Sequence, residues 1–197
     1  MIVNQNKKLE NAVAFFATEF QKRKKYWPPQ MWIYKLLALL DFRMLKATGR
    51  PCIGIEYIAM ANGPVPNVLY YNRFGGVVSD VFEFAPAGNR RVDIIARKEP
   101  DLDYFSDRAI DEMNHLVHEF IDSGRELKDL VRETHKLRSW NVAMKAAKEI
   151  GRQSLSMEYA DEFEENPLNK DGDKLTLQEE RFVEFEKRRR EELEESA

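Results

Sequence analysis

The chain has 197 residues, 43% of them hydrophobic and 33% charged, with a formal net charge of −3 and a single cysteine. This is enough apolar material for one core; one cysteine excludes an internal disulfide, and no apolar run nears the roughly 20 residues that a membrane span needs. The opening segment, MIVNQNKKLEN, lacks the apolar stretch of a secretory leader, so a reducing, cytoplasmic setting is expected.

Residues 4–24 predict an amphipathic helix, with Leu9, Val13, Phe16 and Phe20 on one face. Its basic end, Lys22-Arg23-Lys24-Lys25, suits the negative end of a helix dipole. Pro28-Pro29 punctuates, and a second helix over about 30–48 turns Trp32, Leu36, Leu39, Leu40, Met44 and Leu45 inward. Gly49 and Pro51 stop it. A strand is expected over 53–60. Gly63-Pro64-Val65-Pro66 reads as a rigid corner that aims a helix at 67–73, because glycine permits positive φ and two prolines stiffen the path. Gly75-Gly76 reads as a flexible joint.

Residues 81–85 and 92–96 predict two more strands joined by the loop Pro86–Arg90, all strands lying in one small sheet. From Ser106, a plausible N-cap, the helical period returns with Ala109, Met113, Leu116, Val117, Phe120 and Ile121. Ser123-Gly124 breaks it, a short helix follows over 125–135, and 142–150 reads as helix or turn. Asn166–Asp173 reads as a linker, and Thr176 with Glu179 as a capping box opening a helix over 176–195. The fold class expected is α+β, mainly α-helical, with a helical core, a small antiparallel sheet and an acidic C-terminal helical extension.

Charge divides the same way. Residues 156–197 hold 15 acidic against 7 basic residues, net −8, and residues 1–155 hold 19 against 24, net +5. The terminal helix carries few apolar anchors, so the body over 1–155 is expected to fold without it, and Phe182 and Phe185 are assigned to partner contact or to turnover by a protease.

No catalytic constellation emerges. His115 and His118 sit three apart, and only His135 remains as a third histidine, short of the converging set that zinc requires. Cys52 has no activating surroundings beyond Arg50 and reads as a bystander. Asn169, Asp171 and Asp173 match a calcium loop only in part. The basic runs at 22–25 and 187–190 lack a surrounding patch, so neither metal, cofactor, membrane nor nucleic acid is expected as a partner.

One block is more specific. Lys35-Leu36-Leu37, then Asp41, the exit Thr48-Gly49-Arg50-Pro51, and Gly63-Pro64-Val65 followed by Leu69-Tyr70 resemble the core of the Panacea domain, the SocA-like antitoxin domain first seen as a phage-associated family. The resemblance runs over about 30–140 and ends in Thr134-His135 and Trp140. The family often has an aromatic after Lys-Leu-Leu; this chain has Ala38 there, with Trp32 and Tyr34 one turn earlier to fill the volume. The resemblance implies a Panacea-like domain over 1–155, no enzymatic activity, and an antitoxin that binds a cognate protein toxin. A proteolytic adaptor or a phage regulatory module acting on a host protein is the alternative, with a protease or a second copy as further partners. Partner contact is assigned to Tyr34, Met60, Asn62, Gly63, Pro64, Val65, Pro66, Tyr70 and Trp140 in the body, besides Phe182 and Phe185.

Overall fold

The computed structural model describes residues 4–73 and 79–195. The Gly75-Gly76 joint lies outside the described residues. Helices α1 (Gln5–Lys24) and α2 (Gln30–Thr48) form where the periodicity places them. Lys22, Arg23 and Lys24 occupy the last turn of α1. Gly49 ends α2 in the left-handed region (φ 78°), its N–H donating to Leu45 O at 2.7 Å.

Helix α2 is the axis of the molecule. Trp32 to Phe42, Met44 and Leu45 are all buried, so the helix is covered on every side rather than along one stripe. It packs against α1, against α4 (Asp107–Leu116) and α5 (Leu127–Thr134), and against α7 (Leu177–Glu195). Ala38, Trp32 and Tyr34 are all buried. Ser106 caps α4 by accepting from Ala109 N at 3.3 Å. The chain continues from α4 as a wider π turn, Val117–Asp122, which buries Phe120 and Ile121. Helix α6 (Arg138–Glu149) starts four residues earlier than the expected segment.

The strands form two sheets, not the single one expected. Strands β3 (Phe82–Pro86) and β4 (Val92–Ala96) make a hairpin of their own. The other sheet has the order β2-β1-β5, with β1 (Tyr57–Met60) between β2 (Gly63–Pro66) and β5 (Leu155–Met157). Gly63–Pro66 is therefore a strand, not a corner: Met60 pairs with Gly63 and Tyr57 with Pro66, leaving Ala61-Asn62 as the turn. Two prolines are tolerated because β2 is an edge strand with a partner on one side only.

The C-terminal segment is woven into this core. The expected division after residue 155 falls inside β5, and Met157, Tyr159, Ala160 and Phe182 are buried. Helix α7 opens with the capping box read from the sequence: Thr176 N donates to Glu179 Oε2 at 2.8 Å and Glu179 N to Thr176 Oγ1 at 3.3 Å. It docks through Phe182, whose ring lies 5.0 Å from that of Phe163, and through an ion pair between Glu184 and Arg50. A Cβ at Gly49 would collide with the backbone of Gln178, a second reason for glycine there. Among the described residues no helix is long and apolar enough to cross a membrane.

Candidate interaction site

Two charged-type residues, Lys35 and Asp41, lie fully buried among the apolar side chains of α2. Such groups persist in a core only when their polar atoms are satisfied. Asp41 Oδ1 accepts from Ile53 N at 2.6 Å, its carboxyl also accepts from Gly54 N, and Oδ2 accepts from Tyr57 Oη at 3.0 Å. Tyr159 Oη lies 3.0 Å from Asp41 Oδ2 and 2.7 Å from Ile55 O. A hydroxyl has one proton, and a carbonyl can only accept. Both contacts are satisfied when Tyr159 donates to Ile55 O and a protonated Asp41 donates to Tyr159 Oη. Burial pushes the Asp41 carboxyl above its ordinary range, against the pull of its donors, which agrees with that proton. This one side chain ties α2 to the loop at 53–55, to β1 and to the segment after β5.

Lys35 makes the second tie. Its Nζ donates to Pro64 O at 2.7 Å and holds β2 against α2. Burial pulls its pKa down to about 7. Gly63, beside it, has φ 88°, and a Cβ there would lie 2.6 Å from Thr134 Oγ1 and 3.2 Å from Lys35 Cε. Thr134 is fully buried at the end of α5, where its hydroxyl donates to Val131 O at 2.8 Å. The next residue, His135, stacks on Trp140 with ring centroids 4.0 Å apart and planes 10° from parallel. Trp140 Nε1 donates to Met60 O at 3.1 Å. Desolvation and the nearby Lys35 charge lower the His135 pKa, and its Nε2 is enclosed without a hydrogen-bond partner.

Motif pieces separated by a hundred residues thus meet at one hairpin. Of the residues assigned to partner contact, Met60, Asn62, Gly63, Pro64 and Trp140 come together; Asn62 is exposed at the turn and Met60 and Trp140 are half-buried. Val65 and Pro66 are buried in β2. Tyr34 is fully enclosed, its hydroxyl within 3.2 Å of Gln30 Oε1 and 3.4 Å of Leu69 O, and offers no surface. Tyr70, on helix α3 (Asn67–Asn72), is half-buried under the Arg73 guanidinium. Phe182 is fully buried and serves the core rather than a partner, whereas Phe185 is half-buried with its ring against Tyr159.

Sequence reasoning passed over four contributors: Lys35 and Asp41 as buried polar groups, Thr134 as the wall against Gly63, and Tyr159 as the hydroxyl at Asp41. A lysine and an aspartate inside a helix of thirteen buried positions were the available signal for the first two. His135, weighed as a metal ligand, is committed to the Trp140 stack, and no group of three metal-ligating side chains forms among the described residues. The Cys52 thiol is buried and pushed up to about 12, against a nucleophilic role.

Two results are expected here. Gly63→Ala should destabilise the protein by about 2–3 kcal/mol, from positive φ and the approach to Thr134; chemical denaturation reads the loss, and an unshifted midpoint would refute the close packing. Lys35 sets a pH dependence. Between about pH 7 and 10.5 the unfolded chain holds a proton that the folded one has released, so stability rises with pH across that window. From pH 7 to 8 the gain is about 1 kcal/mol, given that one pKa unit is about 1.4 kcal/mol. Lys35→Met should abolish this rise in melting curves; an unchanged slope in the variant would assign it elsewhere.

A family model described as antitoxin SocA-like, Panacea domain, matches residues 33–141. No curated protein and no solved structure matches the chain. The matched span covers more than half of the chain and contains Lys35, Gly63, Thr134, His135 and Trp140, which meet at the hairpin, and Asp41, which holds β1 through Tyr57. The protein belongs to the SocA-like antitoxin family, built on the Panacea domain.

Proposed function

We propose that this protein is the antitoxin of a two-protein pair and neutralises a co-encoded protein toxin by direct binding. The family match carries the reading. The geometry supports it in that Lys35 and Asp41 are enclosed and held by backbone and hydroxyl partners, which suits groups that set a shape. The shape they set is the β1–β2 hairpin, whose exposed turn and the Trp140 beside it form the rim offered to the toxin.

Co-expression tests it. Cells that make the toxic product of a neighbouring reading frame should stop growing alone and recover when this chain is made as well. The two proteins should then co-purify at fixed stoichiometry. Absence of rescue against every neighbouring product would end the reading.

A further inference from the structure

Most cations of the described chain are answered by a carboxylate: Lys7 by Glu10, Arg43 by Glu112 and Glu119, Lys136 by Glu133. Arg138, Lys145, Lys148 and Arg152, on and just after α6, are among those that are not, and Arg138 donates instead to Glu164 O at 3.0 Å. Among the described residues, Lys145, Lys148 and Arg152 have no ion-pair or hydrogen-bonding side-chain partner. All three line one groove of about 650 Å³, with Met144 in its wall and Gly151 at its end. Glu149, the only acid of α6, is not part of that wall. Lys145 and Lys148 are one turn apart, where like charges repel. Helix α6 also exposes Val142, and Ile150, just past its end, is exposed by 60%.

The groove also adjoins the hairpin site. Asn141, another wall residue, donates through Nδ2 to His135 O at 2.8 Å and to Leu137 O at 2.9 Å, and its neighbour in the chain is Trp140.

We infer that this groove docks an acidic segment of a protein partner, with Asp or Glu side chains on Lys145, Lys148 and Arg152 and an apolar side chain on Met144. The inference rests on the proposed antitoxin function and deepens it, by giving the toxin's contact segment a chemistry. Uncompensated cations around an apolar wall favour an anionic ligand that also brings apolar area. Nucleic acid is less suited: no aromatic ring lines the groove for bases to stack on, and one three-cation cluster on a chain of net charge −3 provides no phosphate track.

The probe is a fluorescent 16-residue helical peptide of Glu, Asp, Leu and Ala, titrated into the full-length protein. Saturable binding is expected, weakening as salt rises. The triple variant Lys145→Glu, Lys148→Glu, Arg152→Glu should bind at least tenfold more weakly while melting within a few degrees of the parent. If it fails to fold, the corresponding triple glutamine variant takes its place, with the same direction of effect. Several results would overturn the proposal: no saturable binding, equal binding by the variant, equal binding of a peptide with Lys in place of its acids, or tighter binding of a single-stranded oligonucleotide of equal charge. A dimer that the triple variant loses would assign the groove to a second copy and would overturn it as well. In the co-expression assay the variant should fail to protect where the parent protects. Equal protection by both removes the groove and leaves the antitoxin reading standing. Protection by neither ends the antitoxin reading, and the peptide titration then decides the groove alone.

Discussion

Asp41→Ala is expected to destabilise the protein by about 3–5 kcal/mol, the range for breaking a buried polar network at its centre. The substitution leaves Ile53 N, Gly54 N and the Tyr57 hydroxyl without their acceptor in a site that excludes water. It also opens a void beside Phe42, whose ring packs 5.0 Å from Tyr159 and 5.8 Å from Tyr57. Asp41→Asn separates the two causes. Its amide can still donate to Tyr159 Oη, and its carbonyl can accept from the loop amides. Its loss should be about 1–2 kcal/mol, the cost of one poorly met hydrogen bond. Equilibrium unfolding of the two variants checks this, and equal losses would show that the acceptor network is not what matters.

Truncation after Gln153 is expected to have the largest effect: loss of the cooperative thermal transition. The cut removes β5 from its pairing with β1, the Tyr159 hydroxyl from Asp41, and the buried Glu162. Glu162 accepts from Ser139 N and Oγ, both at 3.0 Å, at the start of α6, and pairs with Lys46 at 2.6 Å. Removing it strips α6 of its partner as well as the sheet of its third strand. The packing therefore argues for the opposite outcome to the expectation drawn from composition, that the body folds without its tail. A shorter truncation after Lys170 removes α7 and the short 3-10 turn Gly172–Lys174 before it, and leaves β5, Tyr159 and Glu162 in place. That variant should keep a cooperative transition and lose about 2–3 kcal/mol, on the order of one fully buried phenylalanine. Melting both truncations side by side distinguishes a core segment from an appendage: a cooperative, undiminished transition after the cut at Gln153 would show that the tail is separable.

Features under local control are legible in the amino-acid order. Helices α1, α2, α4 and α5 follow from apolar periodicity, the stop at Gly49 from a left-handed backbone that glycine adopts freely, and the caps at Ser106 and Thr176–Glu179 from side chains that bond to backbone a few residues away. The β3–β4 hairpin is legible for the same reason, its strands being joined by a short turn. The Lys35, Gly63-Pro64 and Thr134-His135 pieces were also visible, but as separate motifs with no stated relation in space. Tertiary structure alone decided the rest. Strand β5 is three residues long and exists only because β1 lies beside it, a partner about a hundred positions away. Gly63–Pro66 has a local preference for an extended, stiff path, and pairing with β1 turned that path into an edge strand. Lys35 and Asp41 look like surface residues of a one-sided helix until both faces of α2 are covered; burial then obliges each to find its partners from Pro64, Ile53, Gly54, Tyr57 and Tyr159. Those contacts are long-range, and local periodicity carries no information about which distant group will meet a buried charge.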